Sequence, residues 1–256
     1  MSGVLCVWAK LPDDALEWYE HEFIPDKREK ISKCSLLCEL TTSGLEGEPI
    51  GYLDSPWPLM AVYDIDEIAE ATKDHYEKER SHPSEELLTG RLAEARLDFR
   101  TYREVRTWKK EHWDEDVSHI ASVTAMEWKV SAERQDEVLE FYNSYVAPKV
   151  ASNPDVLRLR MFEVDNATVL QGNSYETKEK DSLHTYFTLV EFETDDWPWG
   201  AVVELAENAG WRKYFDAQKL VKWQLSHYLV KRSYTADGSV GRDLNDKSGD
   251  KIPDDA

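Results

Sequence analysis

Apolar and polar positions follow two periods along the chain, and the order of those periods occurs twice. Residues 4–10 form an almost wholly apolar run of strand length, and Pro12-Asp13 opens a segment whose Leu16, Tyr19 and Phe23 share one helical face until Pro25 limits it. Residues 34–40 alternate as a strand, residues 41–56 carry three glycines and read as a loop, and residues 57–65 form the next strand. Helical patterns over 66–76 and 84–95 and a strand over 97–107 complete a first βαββαβ series.

The second series has a strand at 120–129, a helix at 132–145, strands at 156–164, 185–192 and 222–232, and a helical region over 199–208 and 211–218. Leu139, Tyr142 and Val146 occupy the places of Leu16, Tyr19 and Phe23, Pro148 that of Pro25, and Tyr228 that of Tyr102. Asp13-Asp14-Ala15-Leu16-Glu17-Trp18-Tyr19 returns conservatively as Asp136-Glu137-Val138-Leu139-Glu140-Phe141-Tyr142. These signals predict an internal duplication, with ferredoxin-like repeats over 1–110 and 118–234. The linker near 109–117, rich in charge, Trp and His, is expected to pack, and residues 235–256 read as a disordered acidic tail.

A βαββαβ unit lays both helices on one face of an antiparallel sheet and leaves the other face bare, so two units cover each other. The resulting α+β fold, two fused ferredoxin-like βαββαβ repeats forming an intramolecular dimeric α+β barrel, resembles the dimeric α+β barrel superfamily over residues 3–108 and 118–234. The helix signature is similar to that of EthD-like fungal proteins, in which an aromatic pair precedes His-x-Pro. Trp18-Tyr19 and Phe141-Tyr142 match the pair and Pro25 and Pro148 the proline, but Phe23 and Val146 stand where the histidine belongs.

Alternation sorts the strand faces. Leu97, Phe99 and Val105 suit the helices and turn Asp98, Arg100, Tyr102 and Glu104 into the barrel; Leu157, Leu159 and Met161 do the same for Arg158 and Arg160. Phe187 and Leu189 on the helix side put His184, Tyr186 and Thr188 inside, and Trp223, Leu225 and Leu229 put Gln224, Ser226 and Tyr228 inside. Such a lining suits an oxygenated aromatic or polyketide-like molecule. His184, Tyr102 and Tyr228 are the candidate proton-transfer groups, and Arg100, Glu104, Arg158, Arg160, Tyr186 and Ser226 the candidate substrate-binding groups. The structural alternative makes Arg100 with Glu104, or Arg158 with an acidic neighbour, ion pairs across the barrel. Together with the resemblance this favours a cofactor-independent lyase, isomerase or cyclase of secondary or aromatic metabolism. The alternatives are a non-catalytic ligand-binding or stress-related barrel and a cofactor-free monooxygenase.

Composition narrows the partners. A net charge of -20, from 51 acidic and 31 basic residues, disfavours nucleic acid and anionic membranes. No stretch approaches a membrane span or a secretory signal, which predicts a cytoplasmic protein, monomeric or homodimeric, with a small-molecule partner. Asn166-Ala167-Thr168 is then a chance glycosylation match. Cys6, Cys34 and Cys38 read as small buried side chains. No phosphate loop, hydrolase elbow or zinc spacing occurs, no metal or other cofactor is implied, and none of the seven histidines stands out as a haem ligand. His227 shares parity with Trp223 and Leu225 and is expected to be a buried, hydrogen-bonded histidine. Trp57-Pro58 and Trp197-Pro198-Trp199 are rigid aromatic segments fit to roof a pocket or seal the barrel ends.

Overall fold

The computed structural model describes residues 1–42, 51–52, 57–73, 89–171, 174–218 and 220–244. The first half runs β1 (Gly3–Lys10), α1 (residues 13–31), β2 (Ser35–Leu40), the short β3 (Gly51–Tyr52), β4 (Leu59–Ile65), α2 (Ile68–Thr72) and β5 (Arg96–Lys109). The second runs β6 (Ser122–Val130), α3 (residues 132–151), β7 (Val156–Gln171), β8 (Ser174–Thr177), β9 (Tyr186–Phe192), α4 (Trp199–Glu207), α5 (Ala209–Tyr214), β10 (Val221–Tyr234) and β11 (Val240–Asp243). None of the described helices is long and apolar enough to cross a membrane.

The main strands order as β2-β4-β1-β5 in the first half and β7-β9-β6-β10 in the second, so each half places its second, third, first and fourth main strands side by side. Antiparallel pairing of β5 with β7 and of β10 with β2 joins the halves at both edges and closes an eight-stranded barrel. This is the fused α+β barrel expected from the element order. Closure removes the exposed edges that two separate sheets would present.

The two long helices answer their prolines in the same way. A proline lacks the N–H for an i→i−4 bond and its ring crowds the carbonyl four residues back. In α1 the turn Tyr19–Phe23 widens, and Ile24 N–H donates to the Tyr19 carbonyl just before Pro25; in α3 the turn Tyr142–Val146 does likewise, with Ala147 N–H donating to Tyr142 before Pro148. Each long helix thus passes its proline through a single π turn.

Three apolar clusters result. Val4, Cys6, Trp8, Cys38, Val62, Tyr102, Phe162, Phe187, Leu189 and Tyr228 fill the barrel, joined by Trp57 and by Trp113 of the packed linker. Leu5, Val7, Tyr19, Leu97 and Phe99 lie between the first half's strands and helices, and Trp128, Tyr142, Leu159, Met161 and Val190 between the second half's. Gly3 permits the close approach of β1 to β5, since a Cβ there would lie 2.1 Å from the Tyr102 carbonyl oxygen.

Several expectations need correction. In β9 the faces are reversed: Phe187 and Leu189 point into the barrel, while Tyr186 and Val190 pack in the helix-side cluster. Every residue of β9 is buried, so apolarity marks both faces and loses its directional meaning. Val105 is exposed and Leu157 joins the interior, because bulges between Glu104 and Arg106 and between Val156 and Arg158 shift the parity. Residues 91–94 form a turn instead of the end of a helix. Beyond Thr235, β11 pairs with β10, where a disordered tail was expected. Most of the 41–56 loop, the helical pattern beyond residue 73 up to 88, His75, His82 and residues 245–256 lie outside the described residues.

Candidate functional site

The barrel interior is occupied by rings. Tyr102 stacks on Phe187 with centroids 4.5 Å apart, Trp8 meets Phe187 edge-on at 5.9 Å, and Phe162 lies 5.9 Å from Phe187. All of these side chains, and Tyr228 beside them, are fully buried. The space in which His184, Tyr102 and Arg158 were expected to converge is therefore filled by the aromatic side chains.

Charged groups flank the rings at two levels. Asp98 opposes Trp8 and Asp64 opposes Val4, four residues apart along β1, which is on the order of 13 Å. At the first level Arg100 donates to Asp98 at 2.9 and 2.7 Å and also to Glu127, whose carboxylate accepts from Tyr102 Oη at 2.7 Å and Gln224 Nε2 at 2.9 Å. The Arg100 guanidinium lies over Trp8. Burial alone would raise the Glu127 carboxyl, but Arg100, the Tyr102 hydrogen bond and, more weakly, His184 hold it below its ordinary range. At the second level Glu191 accepts from Arg158 at 2.9 Å and Arg160 at 2.7 Å, and Asp64 from Arg160 at 2.6 Å and Arg158 at 3.2 Å. Burial opposes ionisation of Asp64, yet Arg160 and Arg158 outweigh it and bring the carboxyl down to about 2.

The predicted site residues thus separate. Tyr102 and Arg100 belong to the Glu127 group, with half-buried His184 near enough to act on it electrostatically. Arg158 and Arg160 belong to the Glu191 group. Tyr228 and Ser226 are buried, the Tyr228 hydroxyl beside the Trp8 side chain. Glu104 is half-buried in a charged groove of about 810 Å³ at the barrel mouth, so the Arg100–Glu104 pair is replaced by Arg100 with Asp98 and Glu127. Tyr186 lies outside the barrel, its ring 4.5 Å from that of Trp128. In the groove, burial and then the Asp64 carboxylate push the Cys34 thiol up to about 12, which excludes a thiolate nucleophile at neutral pH. Asp114, Asp116 and His119 bring ligand-type atoms within 4.8 Å of one another at its rim. Asp116 there caps a turn through Ser118 N and Asp114 pairs with His119, which accounts for them without an ion.

The open apolar space lies elsewhere, between the outer face of the second half's strands and its helices. A cavity of about 160 Å³ is walled by Met126, Leu159, Val190 and Phe192 from the strands, Val146 and Val150 from α3, Ala201, Val202 and Leu205 from α4, and Trp211 from α5. Its position follows from local sequence. Pro198 starts α4, whose Ala201 and Leu205, four apart, turn inward while Trp199 and Val203 stay exposed. Asn208 Oδ1 accepts from Gly210 N at 2.7 Å and Trp211 N at 3.2 Å, capping α5 and fixing Trp211 against the pocket.

Few polar groups reach this cavity. Tyr142 and Thr188 hydroxyls share a 2.7 Å hydrogen bond, and Trp128 Nε1 donates to Thr188 at 3.2 Å. Burial lifts the Tyr142 phenol above its ordinary range, so it stays protonated. Thr124 lies 3.1 Å from His227 Nδ1, and His227 Nε2 lies 3.5 Å from the Asp195 carbonyl. A carbonyl only accepts, so Nε2 carries the hydrogen and Nδ1 accepts from Thr124. Burial lowers the His227 pKa and keeps the imidazole neutral at neutral pH, in line with the buried histidine expected there. Trp197 roofs the pocket and packs edge-on to His227 at 5.0 Å. Trp57, by contrast, closes the barrel interior under the Arg96 guanidinium. Sequence reasoning missed Thr124 and Tyr142 as pocket residues and turned Thr188 into the barrel instead of towards this pocket. The Trp-Pro-Trp segment was their only advance signal.

No family model matches the chain, and no curated protein matches it. Among solved structures it is similar to an anthrone oxidase-like protein (12% identity, TM-score 0.47, covering 92% of this chain and 93% of that one). A regulator of staphylococcal pathogenesis follows at 9% identity and a TM-score of 0.42, with 89% and 98% covered. A heme-degrading enzyme from Listeria monocytogenes gives 6%, 0.39, 88% and 99%.

Proposed function

We propose that the protein holds a small apolar molecule of one or two rings in the pocket between the second half's strands and helices. The cavity itself carries this reading: about 160 Å³ bounded by aliphatic and aromatic side chains, when an apolar void of roughly 150 Å³ suffices to bind benzene. Val146 lines it at the position where the EthD-like signature has its histidine, so the wall is apolar where that resemblance would supply an imidazole.

The enzymatic reading, a cofactor-independent lyase, isomerase, cyclase or monooxygenase, moves with the ligand out of the packed barrel. Among the described residues the base closest to hand is neutral His227, which reaches the pocket through the Thr124 hydroxyl. A proton taken from the ligand by Thr124 as its own hydrogen passes to Nδ1 completes such a relay.

Calorimetric titration with tetralin tests the pocket. Wild type is expected to bind, and Ala201→Trp, which fills the space in front of α4, to lose at least tenfold in affinity with unchanged circular dichroism. Equal binding by both proteins rejects the location. Mass analysis of the same mixtures with aromatic ketones detects any product, and turnover that survives His227→Gln removes the histidine from the mechanism.

A further inference from the structure

The pocket is apolar, but two hydrogen-bond donors on its walls lack acceptors among the described residues. The first comes from hydrogen counting. Tyr142 and Thr188 bring two hydroxyl hydrogens to a single mutual bond, and Trp128 Nε1 already donates to Thr188. If Thr188 accepts from Tyr142, its own hydrogen is left over; if it donates, the phenol hydrogen is left over. One hydroxyl hydrogen therefore faces no acceptor in either arrangement, and both residues line the cavity. Protonation of the phenol secures this count, since burial keeps Tyr142 from ionising.

The second donor is Trp197. Its ring roofs the same cavity, and its Nε1 is buried without a hydrogen-bond partner. By contrast, the Thr124 hydrogen is taken by His227 and the Trp223 indole N–H by the Phe215 carbonyl at 2.8 Å, so neighbouring polar groups are satisfied inside the protein. A buried donor without an acceptor costs about 1–3 kcal/mol, and nearly all buried polar groups in folded proteins find partners. An occupant that supplies acceptors relieves both donors at once.

We infer that the occupant is a ring compound bearing acceptor oxygen, an aryl ketone or similar carbonyl compound, selected over a hydrocarbon of the same shape. The inference rests on the pocket reading and adds the ligand's chemistry to it. It places Trp197 and the Tyr142–Thr188 pair as specificity determinants. Among the described residues no acid or cation lines the pocket, so the recognised oxygen is neutral.

The test compares 1-tetralone with tetralin, which share a skeleton and differ by the carbonyl, in calorimetric titrations of the full chain. The ketone is expected to bind about tenfold tighter, the factor that satisfying one buried donor provides. Trp197→Phe removes one donor while keeping an apolar wall, and Tyr142→Phe combined with Thr188→Val removes both hydroxyls from the wall, leaving Trp128 Nε1, which does not line the cavity, without its acceptor. At least one of them is expected to bring the ratio of the two affinities close to one without weakening tetralin. Equal affinity of wild type for both compounds overturns the inference and leaves the pocket standing. A ketone preference unchanged in both variants overturns the assignment of these donors. Absence of binding by either compound overturns the pocket and the inference with it. Thermal midpoints and circular dichroism of each variant identify any that fails to fold, and the wild-type ratio decides in that case.

Discussion

Replacing Glu191 by alanine is expected to destabilise the protein by about 3–5 kcal/mol, the usual result of removing one partner from a buried ionic group. Glu191 is fully buried and receives hydrogen bonds from both Arg158 and Arg160, which are themselves largely withdrawn from water. Its loss leaves two guanidinium groups beside the single carboxylate of Asp64. Attraction and desolvation nearly cancel while the group is intact, so the penalty arises from the unbalanced remainder and not from a large net gain in the native protein. Urea unfolding measures the change. A loss under about 1 kcal/mol, the range of exposed pairs, would show that Glu191 does not sit inside the barrel against the arginines.

Phe187→Ala is expected to cost a further distinct 3–5 kcal/mol, roughly, through lost burial and an unfilled void. Phe187 lies at the centre of the rings, against Trp8, Tyr102 and Phe162. Because the new void opens inside the barrel, tetralin affinity in the pocket outside is expected to remain within about twofold, while stability measured by urea falls. An opposite pattern, with small destabilisation and a marked gain in ligand affinity, would place Phe187 towards the helices.

The same residue shows where sequence reasoning reached and where it stopped. The helix signature closed by Pro25 and Pro148, and the order of strands and helices around it, are local and periodic, and they led directly to the barrel. The faces of β5 near Arg100 and of β7 near Arg158 were legible because charged residues alternate with apolar ones. In β9 no such contrast exists: Tyr186, Phe187, Thr188, Leu189 and Val190 are all buried, and only the charge requirement of Arg158 and Arg160 identifies Glu191 as an inward residue. The bulges that expose Val105 and turn Leu157 inward leave no mark in alternation. Polar residues on the inner face suggested a wet cavity, yet their charges are matched internally and the remaining volume goes to rings. The candidate pocket instead depends on the distance between β9 and α4, a tertiary spacing to which Trp197-Pro198-Trp199 gave the only local pointer.

Xenon derivatisation of a crystal tests the location of the open space most directly, since xenon enters apolar cavities without needing a chosen ligand. The expected result is a xenon peak among Val146, Leu159, Val190 and Leu205, with none among Trp8, Tyr102 and Phe187. A peak within those rings, or an empty outer pocket, would contradict a packed barrel with its binding site on the helix side.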